Sequence, residues 1–264
     1  MPRQVAPAVS LPPGVPRQAA YVEWPAHPAL AAHIVCTWQD APSPRRQPVL
    51  PDACIDLVWD GATVLVAGPD THAAAPTNGD DTFVGIRFRP GAAPGYLGVA
   101  ASELLDSRVP LRDLWGPSAD TLTQLLMDEP SLAASTLEAA LLSRLEMANC
   151  ADPLVEATVR ALSVARSRPT AVTALASSFG VSERTLRRRC ADALGYGPKT
   201  LDRILRFRRA LRLLRHQHPL ADAARLAGYA DQAHLTNECR RLADSTPADL
   251  SNSPEVTLSG NGYN

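Results

Sequence analysis

Two stretches in the last third of the chain repeat one pattern, and that repetition constrains the fold more than any other feature. The first reads Ala171-Val-Thr-Ala-Leu-Ala-Ser-Ser-Phe-Gly180-Val-Ser-Glu-Arg-Thr-Leu-Arg-Arg-Arg-Cys190. The second reads Leu220-Ala-Asp-Ala-Ala-Arg-Leu-Ala-Gly228-Tyr-Ala-Asp-Gln-Ala-His-Leu-Thr-Asn-Glu-Cys239. In each, a short apolar segment meets a glycine, then a polar capping residue (Ser182, Asp231), then a segment whose apolar residues return at helical spacing. Glycine allows left-handed backbone at a sharp turn, and the cap satisfies open N–H groups at the start of the next helix. Helices joined in this way form helix-turn-helix units, and the capped end of the second helix is the end that enters a DNA major groove.

The charge distribution agrees. The chain has 264 residues and a formal net charge of −1, which hides two opposed parts. Between Arg160 and Arg215 stand 14 basic and 3 acidic residues, whereas 9 basic and 18 acidic residues precede Arg160. Such polarity predicts an acidic control domain joined to a nucleic-acid-binding one. Control could then run through a ligand, a dimer contact or direct masking of the basic face. The five cysteines form no CxxC pair, and Cys190 and Cys239 fall on apolar helix positions, so they read as small core residues. No run is long enough to span a membrane and residues 1–20 hold no signal-like apolar stretch, which predicts a cytoplasmic protein.

Along the chain the pattern predicts an α+β protein: a β-rich, half-barrel-like domain with helices, then an all-α domain of two helix-turn-helix units joined by a long helix. Residues 1–20, with five prolines, read as a disordered arm. Within 21–150, strand-like runs occur at Ile34–Trp38, Ile55–Trp59, Thr63–Ala67 and Thr82–Arg89, with turns at Asp60-Gly61 and Asn78-Gly79-Asp80. Helices are expected over Ala92–Leu97, Ser102–Asp106, Pro117–Met127, Ser131–Met147 and Pro153–Ser167, with Ser131 and Asp152 as caps. Residues 151–168 then form a connecting helix and linker, 169–250 the double helix-turn-helix, and 251–264 a disordered tail.

In the first unit Leu186, Cys190 and Leu194 recur every fourth residue and predict one buried stripe. The opposite face carries Arg184, Arg187 and Arg188, with Thr185 beside them. Arginine suits guanine O6 and N7, although each guanidinium could instead hold phosphate. Arg189 points further round, toward phosphate or the acidic domain. A helix over Lys199–His216 would be about 25 Å long and could hold two readers near the roughly 34 Å major-groove repeat. Arg206 and Arg209 on that helix, and Arg240 after it, are phosphate-contact candidates. In the second unit Gln232, Ala233, His234 and Asn237 take exposed positions, a less cationic face that suits adenine and thymine.

On these residues the segment from Arg168 to Leu250 resembles the AraC/XylS family of bacterial transcription regulators. Gly195-Tyr-Gly-Pro198, the Arg206…Arg209-Ala-Leu…Leu214 helix, Leu220, Ala223, Leu226-Ala-Gly-Tyr229 and Ser245-Thr-Pro247 fall in family order. The resemblance implies double-stranded DNA as partner, RNA polymerase as a candidate second one, and a monomer or homodimer. It also implies that Arg184, Arg187, Arg188, Gln232, Ala233 and Asn237 sit toward the bases. Cys239 stands where the family usually has phenylalanine, Asn237 where arginine is common, and Ala248-Asp-Leu250 lacks the usual Tyr-Arg; the smaller Cys239 predicts looser packing in the second unit. The alternative reading is a protein-interaction module whose DNA readout has degenerated.

The runs Val49–Leu57, Gly85–Gly91 and Leu104–Leu114 look like a sensor domain fused to such units, open to a small-molecule effector or a protein partner. Trp38, Trp59, Arg87 and Arg89 are effector-binding candidates, since strand alternation could aim both arginines at one face. The same arginines could instead pair with Asp52 and Asp56, and the tryptophans could simply be core. His27, His33 and His72 are scattered, so neither metal nor cofactor is expected. No GxSxG elbow occurs, and the carboxylates beside Cys54 oppose a thiolate, so no enzyme is expected.

Overall fold

Phe83–Phe88 places Phe83, Gly85 and Arg87 on one face of a strand and Val84, Ile86 and Phe88 on the other, and all six residues are buried. A strand covered on both sides belongs in the middle of a sheet. The computed structural model describes residues 21–43, 48–75, 81–146, 148, 151–164 and 171–252. Its strands are β1 (Tyr21–Trp24), β2 (Ile34–Asp40), β3 (Asp56–Trp59), β4 (Val64–Ala67), β5 (Phe83–Phe88) and β6 (Arg108–Pro110). They form one antiparallel sheet in the order β1-β2-β5-β3-β4-β6. The β3–β4 hairpin turns at Asp60-Gly61 as expected: the Asp60 carboxylate accepts from the backbone N–H of Ala62 and Thr63 at 2.9 and 2.7 Å. The Asn78-Gly79-Asp80 turn, the N-terminal arm and all of the tail after Asn252 lie outside the described residues.

One face of the sheet is packed by α1 (Ala93–Leu97), α2 (Leu111–Trp115), α3 (Pro117–Asp128) and α4 (Ala133–Leu142). Val84, Ile86 and Phe88 meet Tyr96, Leu111, Leu122, Leu126, Leu137 and Leu141 there in one apolar core. On the opposite face Cys36, Trp38 and Phe83 form a smaller cluster. Trp38 lies so close to Gly85 that a Cβ at that glycine would stand 2.3 Å from the indole, so the strand pairing requires glycine here.

Two helical expectations change. Ser131 does not cap α4, because Pro130–Leu132 is a tight 3-10 turn and Leu132 takes the capping position without a side-chain bond. That helix ends at Leu142, where the Ser143 hydroxyl bonds back to the Ala140 carbonyl and the next bonds shorten to three-residue spacing. Ser102–Asp106 likewise reduces to a 3-10 turn, Ala101–Leu104, with the Glu103 carboxylate accepting from the N–H of Ala100.

The rest is helical: α5 (Pro153–Val164), α6 (Val172–Ser178), α7 (Glu183–Leu194), α8 (Pro198–Arg215), α9 (Leu220–Leu226), α10 (Gln232–Ala243) and α11 (Pro247–Asn252). Asp152 caps α5, accepting from the N–H of Leu154 at 2.9 Å. Read as a connector, α5 instead contributes Val155, Val159 and Leu162 to the core around Leu186 and Cys190. Helix α8 is shared. Leu201, Ile204 and Leu205 in its first half pack with α6 and α7, and Phe207, Ala210, Leu211 and Leu214 in its second half pack with α9 and α10. No helix among the described residues is long and apolar enough to cross a membrane.

Candidate nucleic-acid interface

Helix α7 begins where the sequence requires. Gly180 turns with φ +66°, and the Ser182 hydroxyl accepts from the N–H of Thr185 at 3.1 Å. Leu186, Cys190 and Leu194 are buried, which fixes the roll of the helix and turns Arg184, Arg187 and Arg188 to solvent on one face. Thr185 is half-buried, and its hydroxyl lies 2.9 Å from that of Ser182, so it belongs to the cap. The Glu183 carboxylate receives Arg187 from the next turn and the Thr173 hydroxyl from α6, which ties the arginine face to the supporting helix.

Helix α10 repeats the arrangement with neutral chemistry. The Asp231 carboxylate accepts from the N–H of His234 at 2.7 Å, and Gln232, Ala233, His234 and Asn237 are exposed. The His234 ring packs edge-on against Tyr229 while its Nδ1 accepts from the N–H of Ala230 at 3.4 Å. Cys239 is fully buried between Leu235 and Leu242, and Leu50 from the sheet domain joins that core.

The phosphate candidates divide. Arg240 is exposed. Arg209 is half-buried and donates to the Ser163 carbonyl at 2.8 Å. Arg189 pairs with Asp152, the cap of α5, rather than with an acid of the sheet domain. Burial works against the Asp152 charge, but Arg189 and the N–H groups of Leu154 and Val155 hold that carboxyl below its usual range. Arg206 is a correction. Its side chain is buried, donates to the Gly228 carbonyl at 3.0 Å, lies 3.3 Å from the Asp202 carboxylate and covers the Tyr229 ring. It clamps the turn of the second unit instead of facing a phosphate. Asp202 stands four residues before it, a signal for such pairing already in the sequence.

The effector candidates are also separated. Trp59 sits in the main core, whereas Trp38 lies on the opposite face and donates its indole N–H to Asp56 at 3.1 Å. Arg87 faces its register partner Asp56 and donates to both carboxylate oxygens at 3.1 and 2.9 Å. Glu23 on β1 and Asp52 lie 3.3 and 3.4 Å from the same guanidinium. Arg89 falls beyond the end of β5 and donates to the Ala31 carbonyl at 2.9 Å, so the two arginines do not form one anion clamp.

Burial pushes the Asp56 carboxyl up to about 6, against the pull of Arg87 and with Asp52 adding to the rise. Between its ordinary value and that pH the folded chain keeps a proton that the unfolded chain has released. Stability contributed by this group is therefore full at low pH and lost as pH rises through about 6. We expect Asp56→Asn to flatten urea-unfolding stability between pH 4 and pH 6 by about that group's share, relative to the parent. Parallel profiles for the two proteins would show that Asp56 titrates normally.

Comparison with known proteins fits this geometry. Residues 175–253 match a family described as a helix-turn-helix domain, and residues 22–110 match a domain of unknown function (DUF6597). The HTH-type transcriptional regulator GlxA of Rhizobium meliloti is 36% identical over 100 residues, which is 37% of this chain and 31% of that protein. The chain thus matches about a third of its curated relative's length. Among solved structures, ToxT from Vibrio cholerae is 7% identical with a TM-score of 0.45, covering 79% of this chain and 95% of its own. The C-terminal domain of AraT, a response regulator from Geobacillus stearothermophilus, is 19% identical with a TM-score of 0.37, covering 40% and 90%. Two capped helices set around one shared helix agree with the family match, and residues 175–253 of this chain are similar to a helix-turn-helix domain.

Proposed function

We propose that the chain is a sequence-specific DNA-binding transcription regulator that places α7 and α10 in successive major-groove segments under the control of its sheet domain. The observation that carries this is the α7 face: three arginines share one exposed side of a capped helix whose other side is locked in a core. Their guanidiniums can pair with guanine edges, while Gln232 and Asn237 on α10 suit adenine. The first unit then supplies most of the affinity and the second mainly register. The sheet domain does not mask the α7 arginines, which stay exposed with both domains in place. That exposure supports control of how the two readers are held over control by direct masking.

Fluorescence anisotropy with the full chain tests the proposal, comparing its own upstream DNA with a scrambled duplex across a salt series. We expect preference for the native duplex and an affinity that falls steeply with salt, by a log–log slope of about 0.9 for each phosphate neutralised. Equal affinity for both duplexes at every salt concentration would leave a non-specific binder and defeat the reading.

A further inference from the structure

The segment just before β3 belongs to the sheet by sequence and to the helices by packing. Leu50 is buried in the core that Phe207, Leu211, Leu214, Leu235 and Cys239 form for the second unit. Three residues later Ala53 is buried in the core that Leu175, Leu186, Cys190, Leu201 and Ile204 form for the first unit. Between them Asp52 reaches α8 at the point where that helix passes from one core to the other. Arg208 there is buried, donates from Nη1 to the Asp52 carbonyl at 3.0 Å and lies 3.9 Å from its carboxylate.

The segment is held in this shape. Asp52 Oδ1 accepts from the N–H of Cys54 at 2.9 Å, and Ala53 has φ +66°, a left-handed conformation that is unfavourable for a residue with a Cβ and persists where the surroundings enforce it. On its other side Asp52 approaches Arg87 at 3.4 Å, the guanidinium that also holds Asp56 and Glu23. One carboxylate therefore stands between the charged centre of the sheet and the helix that joins the two DNA readers.

We infer that residues 50–54 are a spacer that fixes the relative setting of α7 and α10, with Asp52 and Arg208 as positioning residues for DNA recognition. The inference rests on the proposed DNA-reading function but reaches further: the sheet domain completes the reading head and sets which separation of half-sites the chain accepts. Two cores joined along one helix can bend about it. A wedge anchored in both, and bonded to the helix between them, removes that freedom. A change at the Arg87 centre would be transmitted through Asp52 to the angle between the readers.

The test uses the full chain with Cys150→Ser and spin labels on Asp192→Cys and Arg241→Cys, two exposed positions on α7 and α10. Burial raises the thiols of Cys36, Cys54, Cys190 and Cys239, which keeps them unreactive. Pulsed-EPR distances are compared between this parent, Arg208→Met and Leu50→Ala. Arg208→Met breaks the lock from the helix side and leaves Asp52 on Arg87, while Leu50→Ala withdraws the wedge from the second core alone. We expect one narrow distance in the parent and a broadened distribution in both variants. On duplexes whose half-sites are moved by one base pair, discrimination should fall about tenfold in Arg208→Met, which loses one charge-assisted hydrogen bond, and in the same direction in Leu50→Ala. A folded Arg208→Met or Leu50→Ala protein with the parent's narrow distance overturns the inference whatever the duplexes show. A parent that ignores DNA sequence defeats the DNA-reading proposal, and the distance measurement still decides the spacer.

Discussion

Replacing Arg184 and Arg187 together with alanine should lower affinity for the native duplex by roughly 30-fold to 20,000-fold, the effect of losing two bidentate base contacts at about 1–3 kcal/mol each. Both side chains are exposed, and the Glu183–Arg187 pair is a surface one, so the melting temperature should hardly move. Arg225→Ala is the control for charge, since Arg225 is equally exposed but sits on α9, paired with Asp222. It should weaken native and scrambled duplexes alike and only slightly. If the double variant retained preference for the native duplex, base reading would have to reside in α10, and the assignment of α7 as the dominant reader would be wrong.

Gly195→Ala should be the most damaging single change at the junction of the two domains. This glycine ends α7 with φ +85°, and a Cβ there would stand 2.4 Å from Pro69 Cγ and 3.1 Å from the Ala101 carbonyl oxygen, both on the sheet domain. The backbone conformation costs about 1–2 kcal/mol and the forced separation about 1–3 kcal/mol more. Gly180→Ala has a similar backbone, φ +66°, but nothing within 4 Å of the added carbon, so it should show the first cost alone. Urea unfolding of both variants separates the two contributions. Equal losses would mean that α7 does not rest tightly on the sheet domain.

Much of this architecture is legible in the residues. The two turns, their caps and the buried stripes follow from glycine, Ser182, Asp231 and fourfold apolar spacing, because these are local rules acting within a dozen residues. The central strands were readable for the same reason, since their apolar and β-branched runs end at clear turn signals. The short β6, Arg108–Pro110, carries no alternation of its own and exists through pairing with β4. Arg206 shows the limit most clearly. An arginine on an arginine-rich helix looks like a phosphate ligand until the turn at Gly228 is folded over it. Arg87 posed the same question, and its cross-strand partner Asp56 could be named from sequence as one of two options without its register being known. The insertion of Leu50 and Ala53 into two separate helical cores has no local signature, because each residue is ordinary and only the long-range docking gives it meaning.

That docking bears on how such a protein can be recombined. A helical domain whose two cores each lack a side chain that another part of the chain supplies is not a portable cassette. Grafted behind a foreign sensor, it would expose the seats of Leu50 and Ala53 to water, and the graft would be prone to aggregate or to read DNA loosely. A chimera that carries residues 49–55 with the helices, and keeps an acid to meet Arg208, crosses a natural seam instead of cutting through one.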